Sequence, residues 1–199
     1  MRRSREDAAA TRAKIVAIAA RLFRARGIDA TSVADVMSAL GLTVGGFYRH
    51  FDSKEALVSE AIDAASRETT ERQLATSGSR ERGQEVELLS LLDRYLSHGH
   101  RQRAGQGCPV AALCSEVGHG SKETKKAFTV AIERLLTTVD AAMGRDPGAD
   151  RESTLFAASA AVGAIVLARA THDESLADEL LSAARKRLLE TNKKAPTGD

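Results

Sequence analysis

The sequence predicts an all-α fold of about nine helices. Three prolines in 199 residues, no tryptophan, and abundant alanine and leucine suit helices. Apolar residues recur at helical spacing, and glycines or short polar runs separate the periodic segments. The most informative stretch is Thr31 to Leu57, TSVADVMSALGLTVGGFYRHFDSKEAL. It reads as two short helices joined by a tight turn, then the start of a long helix, which is a helix-turn-helix layout.

Ile15, Ile18, Ala19, Leu22 and Phe23 mark a first amphipathic helix of about 16 residues, ended by Gly27. Its polar face carries Arg12, Lys14, Arg21, Arg24 and Arg26. Thr31 and Ser32 are suited to cap the next helix, whose apolar positions Val33, Val36, Met37 and Leu40 share one face. Gly41 stops it. Thr43 caps a second short helix, Val44 to His50, anchored by Phe47 and Phe51. Asp52 or Ser53 caps the long helix from Lys54 to Leu74.

Beyond a polar break at Ser77–Gly83, a helix is expected from Glu85 to Ser97. The run His98–Gly107, HGHRQRAGQG, reads as a loop from its glycines and charge. Pro109 opens a short helix to Val117, since proline suits the first helical position. Ser121 to Met143 is a long helix, MGRDPGAD a break, and Ala149–Ala170 and Ser175–Glu190 the last two helices. The stretch Leu155–Leu167 is rich in alanine and apolar nearly all round, which predicts burial. The tail TNKKAPTGD is expected to be disordered.

Residues 1–60 carry 10 Lys/Arg against 7 Asp/Glu, and the remainder 19 against 20. The small basic excess thus falls on the helix-turn-helix, where cations displace phosphate counterions. No apolar run is expected to span a bilayer, and no signal-peptide core is seen. The two cysteines are expected to be reduced.

The order of long helix, Gly27, TSVADV, LGLT, GGFYRHF and SKEAL resembles the TetR family of bacterial transcriptional regulators over roughly residues 10 to 60. The resemblance implies a helix-turn-helix DNA-binding domain, 1–53, an effector-binding and dimerisation domain, 54–192, and a disordered tail, 193–199. It implies a homodimer formed by the last two helices, bound to a palindromic double-stranded operator. Thr43 to His50 is then the recognition segment. Val44 meets a thymine methyl, and Gly45 and Gly46 allow close backbone approach. Tyr48 and His50 match positions that contact phosphate in the family. Lys54 brings charge to a helix N-terminus, Arg49 is a base or phosphate candidate, and Thr31, Ser32 and Thr43 offer hydroxyls. Many relatives carry a longer polar residue at Gly45 or Gly46. Specificity is therefore expected to lean on Val44, Arg49 and the arm Arg2, Arg3 and Arg5, which suits a minor groove.

Cys108 sits at the N-cap of the Pro109 helix, near Arg101 and Arg103 in sequence. Helix N-termini favour thiolate, which makes Cys108 a candidate sensor of oxidants or electrophiles, against the plain alternative of a buried packing thiol. Cys114 is expected to pack inside. His98, His100, His119 and the cysteines match no compact metal spacing, and no metal or cofactor is expected. No phosphate loop, GxSxG, HExxH or dinucleotide fingerprint is present, so no enzyme is expected. The expectation is a cytoplasmic, dimeric repressor released from DNA by a small effector. The alternatives are gating by a reactive species at Cys108 and, third, a metal-responsive regulator.

Overall fold

A computed structural model of the chain describes residues 5–76 and 84–194, which are helical with no strand among them. Ten helices follow in order: α1 Arg5–Arg26, α2 Val33–Ser38, α3 Val44–Phe47, α4 Lys54–Thr76, α5 Gln84–Tyr95, α6 His98–Gln102, α7 Pro109–His119, α8 Lys122–Ala142, α9 Arg151–Ala170 and α10 Glu174–Lys194. A 3-10 turn, Ala104–Gln106, precedes α7. The predicted break at Ser77–Gly83 and the arginines Arg2 and Arg3 lie outside the described residues. So do positions 195–199 of the expected tail, whereas α10 carries 193 and 194 as helix.

The helix beyond the nine expected is α6, which corrects the reading of His98–Gly107 as a loop. Ser97 caps it, its hydroxyl accepting from the His100 N–H at 3.0 Å. Arg169 on α9 donates to the His100 carbonyl at 2.8 Å and the Arg101 carbonyl at 3.2 Å. A five-residue helix is marginal alone, and these bonds satisfy groups that its ends leave open.

The chain divides into two compact units. The first comprises Met1–Thr69 and Ala104–Ile132, so the unit that holds the helix-turn-helix also takes in α7 and part of α8. Its core joins Ile15 and Phe23 of α1, Val36 and Met37 of α2, Phe47, Phe51, Leu57 and Ile62, and Leu113 of α7. Gly27 and Gly41 adopt positive φ, 92° and 66°, and end α1 and the α2 turn as expected.

The second unit comprises Thr70–Arg103 and Glu133–Asp199. Here α9 packs on α10, and also on α5 and α6, with Thr154, Ala157, Ala161, Ala164 and Ala168 among its buried residues. Its alanines let the neighbouring backbone come close. Asp140, buried on α8, accepts from the Gly148 N–H at 2.9 Å and from the Thr154 hydroxyl, which fixes the connection into α9. An apolar cavity of about 20 Å³ lies among Leu88, Leu91, Leu92, Tyr95, Val139, Met143, Ala158 and Leu188. The expectation that no apolar run could span a bilayer needs correction. By length and composition α9 qualifies, with a mean hydropathy of 1.6. The same composition serves a helix that packs on others, and its packed alanine face is that of a bundle helix.

Candidate nucleic-acid interface

The start of α2 is fixed by a capping box. The Ser32 hydroxyl accepts from the Asp35 N–H at 3.1 Å, and the Asp35 carboxylate accepts from the Ser32 N–H at 2.7 Å. The bonds from Ser32 hold the Asp35 carboxyl below the usual carboxylate range. Thr31 is a correction to the expected contact set. It is buried, and its hydroxyl donates to the Gly27 carbonyl at 2.8 Å, so it closes the turn instead of facing a ligand.

The turn into α3 is closed by the Leu42 N–H on the Met37 carbonyl at 2.9 Å. Thr43 stands at the N-cap of α3 without a side-chain cap bond. The helix ends at Phe47 instead of His50, and hydrogen-bonded turns carry the chain to Phe51. Two consecutive glycines, each about 1 kcal/mol less helical than alanine, explain the short element. Val44 is 43% exposed and Tyr48 is 67% exposed. Thr43, Gly45 and Arg49 are also exposed, and Gly46, His50 and Lys54 are half-buried. These residues follow one another along the loop, α3, the turn after it and the first residue of α4.

Aromatic packing orients this segment. Phe47 stacks on Phe51 with centroids 5.4 Å apart and meets the Tyr48 ring edge-on at 5.2 Å. Buried Phe47 thus sets the direction of Tyr48. Ser53, the second of the two cap candidates, accepts from the Ala56 N–H at 3.1 Å and starts α4. The Lys54 ammonium donates to the Ile28 carbonyl at 2.6 Å, which ties α4 to the turn after α1.

Three charged residues escaped the sequence reading. Arg12 pairs with Glu60, lies over the Phe51 ring at 4.4 Å and donates to the His50 carbonyl at 3.2 Å. It therefore holds the end of the recognition segment against α1 and α4. Arg24 is buried and donates to the Ala20 carbonyl, the Gly107 carbonyl at 2.9 Å and Glu68 at 2.8 Å. Glu116 on α7 accepts from the N–H groups of Ile28 at 2.7 Å and Asp29 at 3.0 Å. Arg24, expected on the polar face of α1, is thus a correction: it is buried against its partners. All three have partners 38 to 88 residues away in sequence, beyond the reach of local patterns.

Cys108 occupies the N-cap of α7 as expected and is only 2% exposed. Cys114 corrects the sequence reading, because it is exposed. Burial on α7 narrows from the whole first turn to the side of Leu113 and Val117, which leaves Cys114 outside. Among the described residues no group of three His, Cys, Asp or Glu side chains could hold a metal ion. His98 and His100 lie in one unit and Cys108, Cys114 and His119 in the other.

A capped helix, a tight turn and a short exposed second helix on a three-helix core define a helix-turn-helix DNA-binding protein. Residues 15–61 match the family model described as bacterial regulatory proteins, tetR family. An uncharacterized HTH-type transcriptional regulator of Mycobacterium tuberculosis strain H37Rv is 30% identical over 189 residues, 89% of this chain and 94% of that one. The HTH-type transcriptional repressor KstR2 of Rhodococcus jostii is 47% identical over 51 residues, 26% of this chain and 25% of its own. A TetR transcriptional regulator from Chloroflexus aurantiacus shares the fold, with a TM-score of 0.74, 24% identity, and coverage of 95% of this chain and 97% of that one. The chain belongs to the TetR family of bacterial transcriptional regulators.

Proposed function

We propose that this regulator is a homodimeric repressor that leaves a palindromic operator when a small effector binds. The exposed Val44–Tyr48 segment, oriented by buried Phe47 and clamped through Arg12, is the observation that carries the reading. Val44 meets a thymine methyl, and Tyr48, His50 and Lys54 meet phosphates. Ser32, Thr43 and Arg49 flank them, and Gly45 admits the DNA backbone. The repressor KstR2, similar in this region, supports repression over activation. A DNA partner is in keeping with a cytoplasmic protein. The DNA-binding role falls on residues 1–53 and the effector and dimer roles on 54–192.

The effector acts by population shift. It binds the form whose recognition segments are wrongly spaced and lowers operator affinity by its differential binding energy, typically about 1–3 kcal/mol. The division between the two compact units cuts α4 between Thr69 and Thr70, so a tilt of α4 would move Lys54. The cavity among Leu88, Leu91, Tyr95 and Met143 favours an apolar effector, and anything larger than a water must displace those side chains.

Gating at Cys108 is the second reading. Its place at the N-cap of α7 supports it, but 2% exposure withholds the thiol from reagents, so the ligand-gated form is preferred. Fluorescence anisotropy on the DNA upstream of the protein's own gene, with and without a mild thiol oxidant, tests both. Salt-dependent binding indifferent to oxidant is expected. Binding lost on oxidation and restored by reductant would replace the ligand with Cys108 chemistry. A Cys108→Ser variant that still responds to oxidant would remove Cys108 in turn.

A further inference from the structure

We infer that Glu116 on α7 is a positioning residue for operator binding, through the three-residue turn Gly27–Asp29. The turn is the junction of the DNA-reading unit. Gly27 ends α1, and its carbonyl accepts from the Thr31 hydroxyl at 2.8 Å, one residue before the α2 cap. The Ile28 carbonyl accepts from the Lys54 ammonium at 2.6 Å, at the first residue of α4. The turn's two outward N–H groups, Ile28 and Asp29, both donate to Oε2 of Glu116, at 2.7 and 3.0 Å. One carboxylate thus fixes the direction in which α1 hands the chain to α2 and the level at which Lys54 is held.

The fit is two-sided. A Cβ at Gly27 would lie 2.7 Å from the Glu116 Oε1, and the residue's φ of 92° already favours glycine. Glycine and carboxylate are therefore matched to each other across 89 positions of sequence. The other end of α7 is held too, since Arg24 of α1 donates to the Gly107 carbonyl at 2.9 Å, two residues before Pro109. Helix α7 is thus tied at its start to α1 and near its end to the turn after α1, and Glu116 is the strap that touches the helix-turn-helix.

A hydrogen bond to a charged group is stronger than a neutral one, and two share this carboxylate. Without it the turn can move, and a small shift misplaces base contacts while leaving the surface charge intact. The expected signature is a loss of specificity more than of affinity at large. An open cleft of about 310 Å³ lies against Ile28, Asp29 and Glu116, so water can take over the two N–H groups and a Glu116→Ala chain stays folded.

The test uses the full chain and a duplex selected from random sequence with the unaltered protein, beside an unrelated duplex of equal length. For Glu116→Ala, operator affinity should fall about tenfold or more, while affinity for the unrelated duplex stays within about twofold. Glu116→Gln keeps an oxygen that can accept from both N–H groups and should regain most of the operator affinity. Glu116→Asp, too short to reach both, should behave like alanine, and it supplies the same comparison if alanine does not fold. Operator affinity within about twofold of the unaltered chain in both short variants would overturn the assignment. Equal loss on both duplexes would also overturn it, since that marks general destabilisation.

Discussion

Tyr48 carries its ring on the Phe47 edge and its phenol in solvent, so packing and recognition are separable on one side chain. Tyr48→Phe keeps the ring contact and removes only the hydroxyl. Operator affinity should fall about three- to tenfold, as for one lost hydrogen bond, with thermal stability unchanged. Anisotropy titration beside a melting curve checks this, and unchanged affinity would show that the phenol meets no phosphate. Gly45 makes a second comparison. A Cβ there meets nothing within 4 Å, and its φ is ordinary. Gly45→Ala should therefore stabilise the chain by about 0.5–1 kcal/mol in denaturant melts. If Gly45 admits the DNA backbone as proposed, operator affinity should nevertheless fall, because the added methyl would occupy that approach. A variant both stabler and equally tight would mean that the glycine serves no close approach.

Among the elements, caps and periodic apolar faces were legible, and buried charge was not. Ser32, Gly27, Gly41 and Pro109 announce ends of helices through chemistry local to a few residues, and the described helices begin or stop beside them. The loop reading of His98–Gly107 failed because Arg169, 69 positions from His100, supplies the bonds that hold α6. Arg12 and Glu116 were unreadable for the same reason. In the interface the exposed row Val44, Gly45, Tyr48 and Arg49 could be read from the motif, whereas Thr31 could not be told from a surface hydroxyl. Ser32→Ala should cost about 1 kcal/mol, measurable by urea unfolding, because it removes the hydroxyl side of the α2 capping box. Helix α6 gives a pH prediction. Burial, opposed by the bond to the Tyr95 carbonyl and aided by Arg169 and Arg72, pulls the His100 pKa from 6.5 down to about 4. A carbonyl can only accept, so Nδ1 carries the proton in that 2.6 Å bond. Between pH 6.5 and 4 the unfolded chain binds the extra proton and the folded chain does not. This contribution is whole above pH 6.5 and is lost as pH falls through that window, by up to about 3 kcal/mol. Urea midpoints of the unaltered chain and His100→Asn at pH 7 and 4.5 isolate it. A fall of the same size in both would assign the acid loss to other groups.

For the whole molecule, the informative feature is that α9 has two apolar faces and the described residues cover one. Thr154, Ala157, Ala161, Ala164 and Ala168 are buried within the unit, while Phe156 is 55% exposed and Leu167 is 56% exposed, with Leu155 beside them and Leu176 on α10 also exposed. Phe156 and Leu167 are eleven residues apart, close to three full turns, so they stand on one line of the helix. A row of large apolar side chains left exposed by the described residues is what a second copy of the same helix pair would bury in an isologous interface. The proposed operator binding requires the same thing, because a four-residue helix would touch too few bases to be selective alone, and a two-fold pair about 34 Å apart doubles the contact. The double substitution Phe156→Asp with Leu167→Asp adds charge to surface positions only, so the folded chain should survive with little loss of thermal stability. Light scattering should show a dimer for the unaltered protein and a monomer for the variant. Operator affinity should fall by about a hundredfold or more, while binding to a single half-site should be nearly unchanged. A variant that stays dimeric would move the interface elsewhere, and a monomer with undiminished operator affinity would show that the helix-turn-helix acts alone.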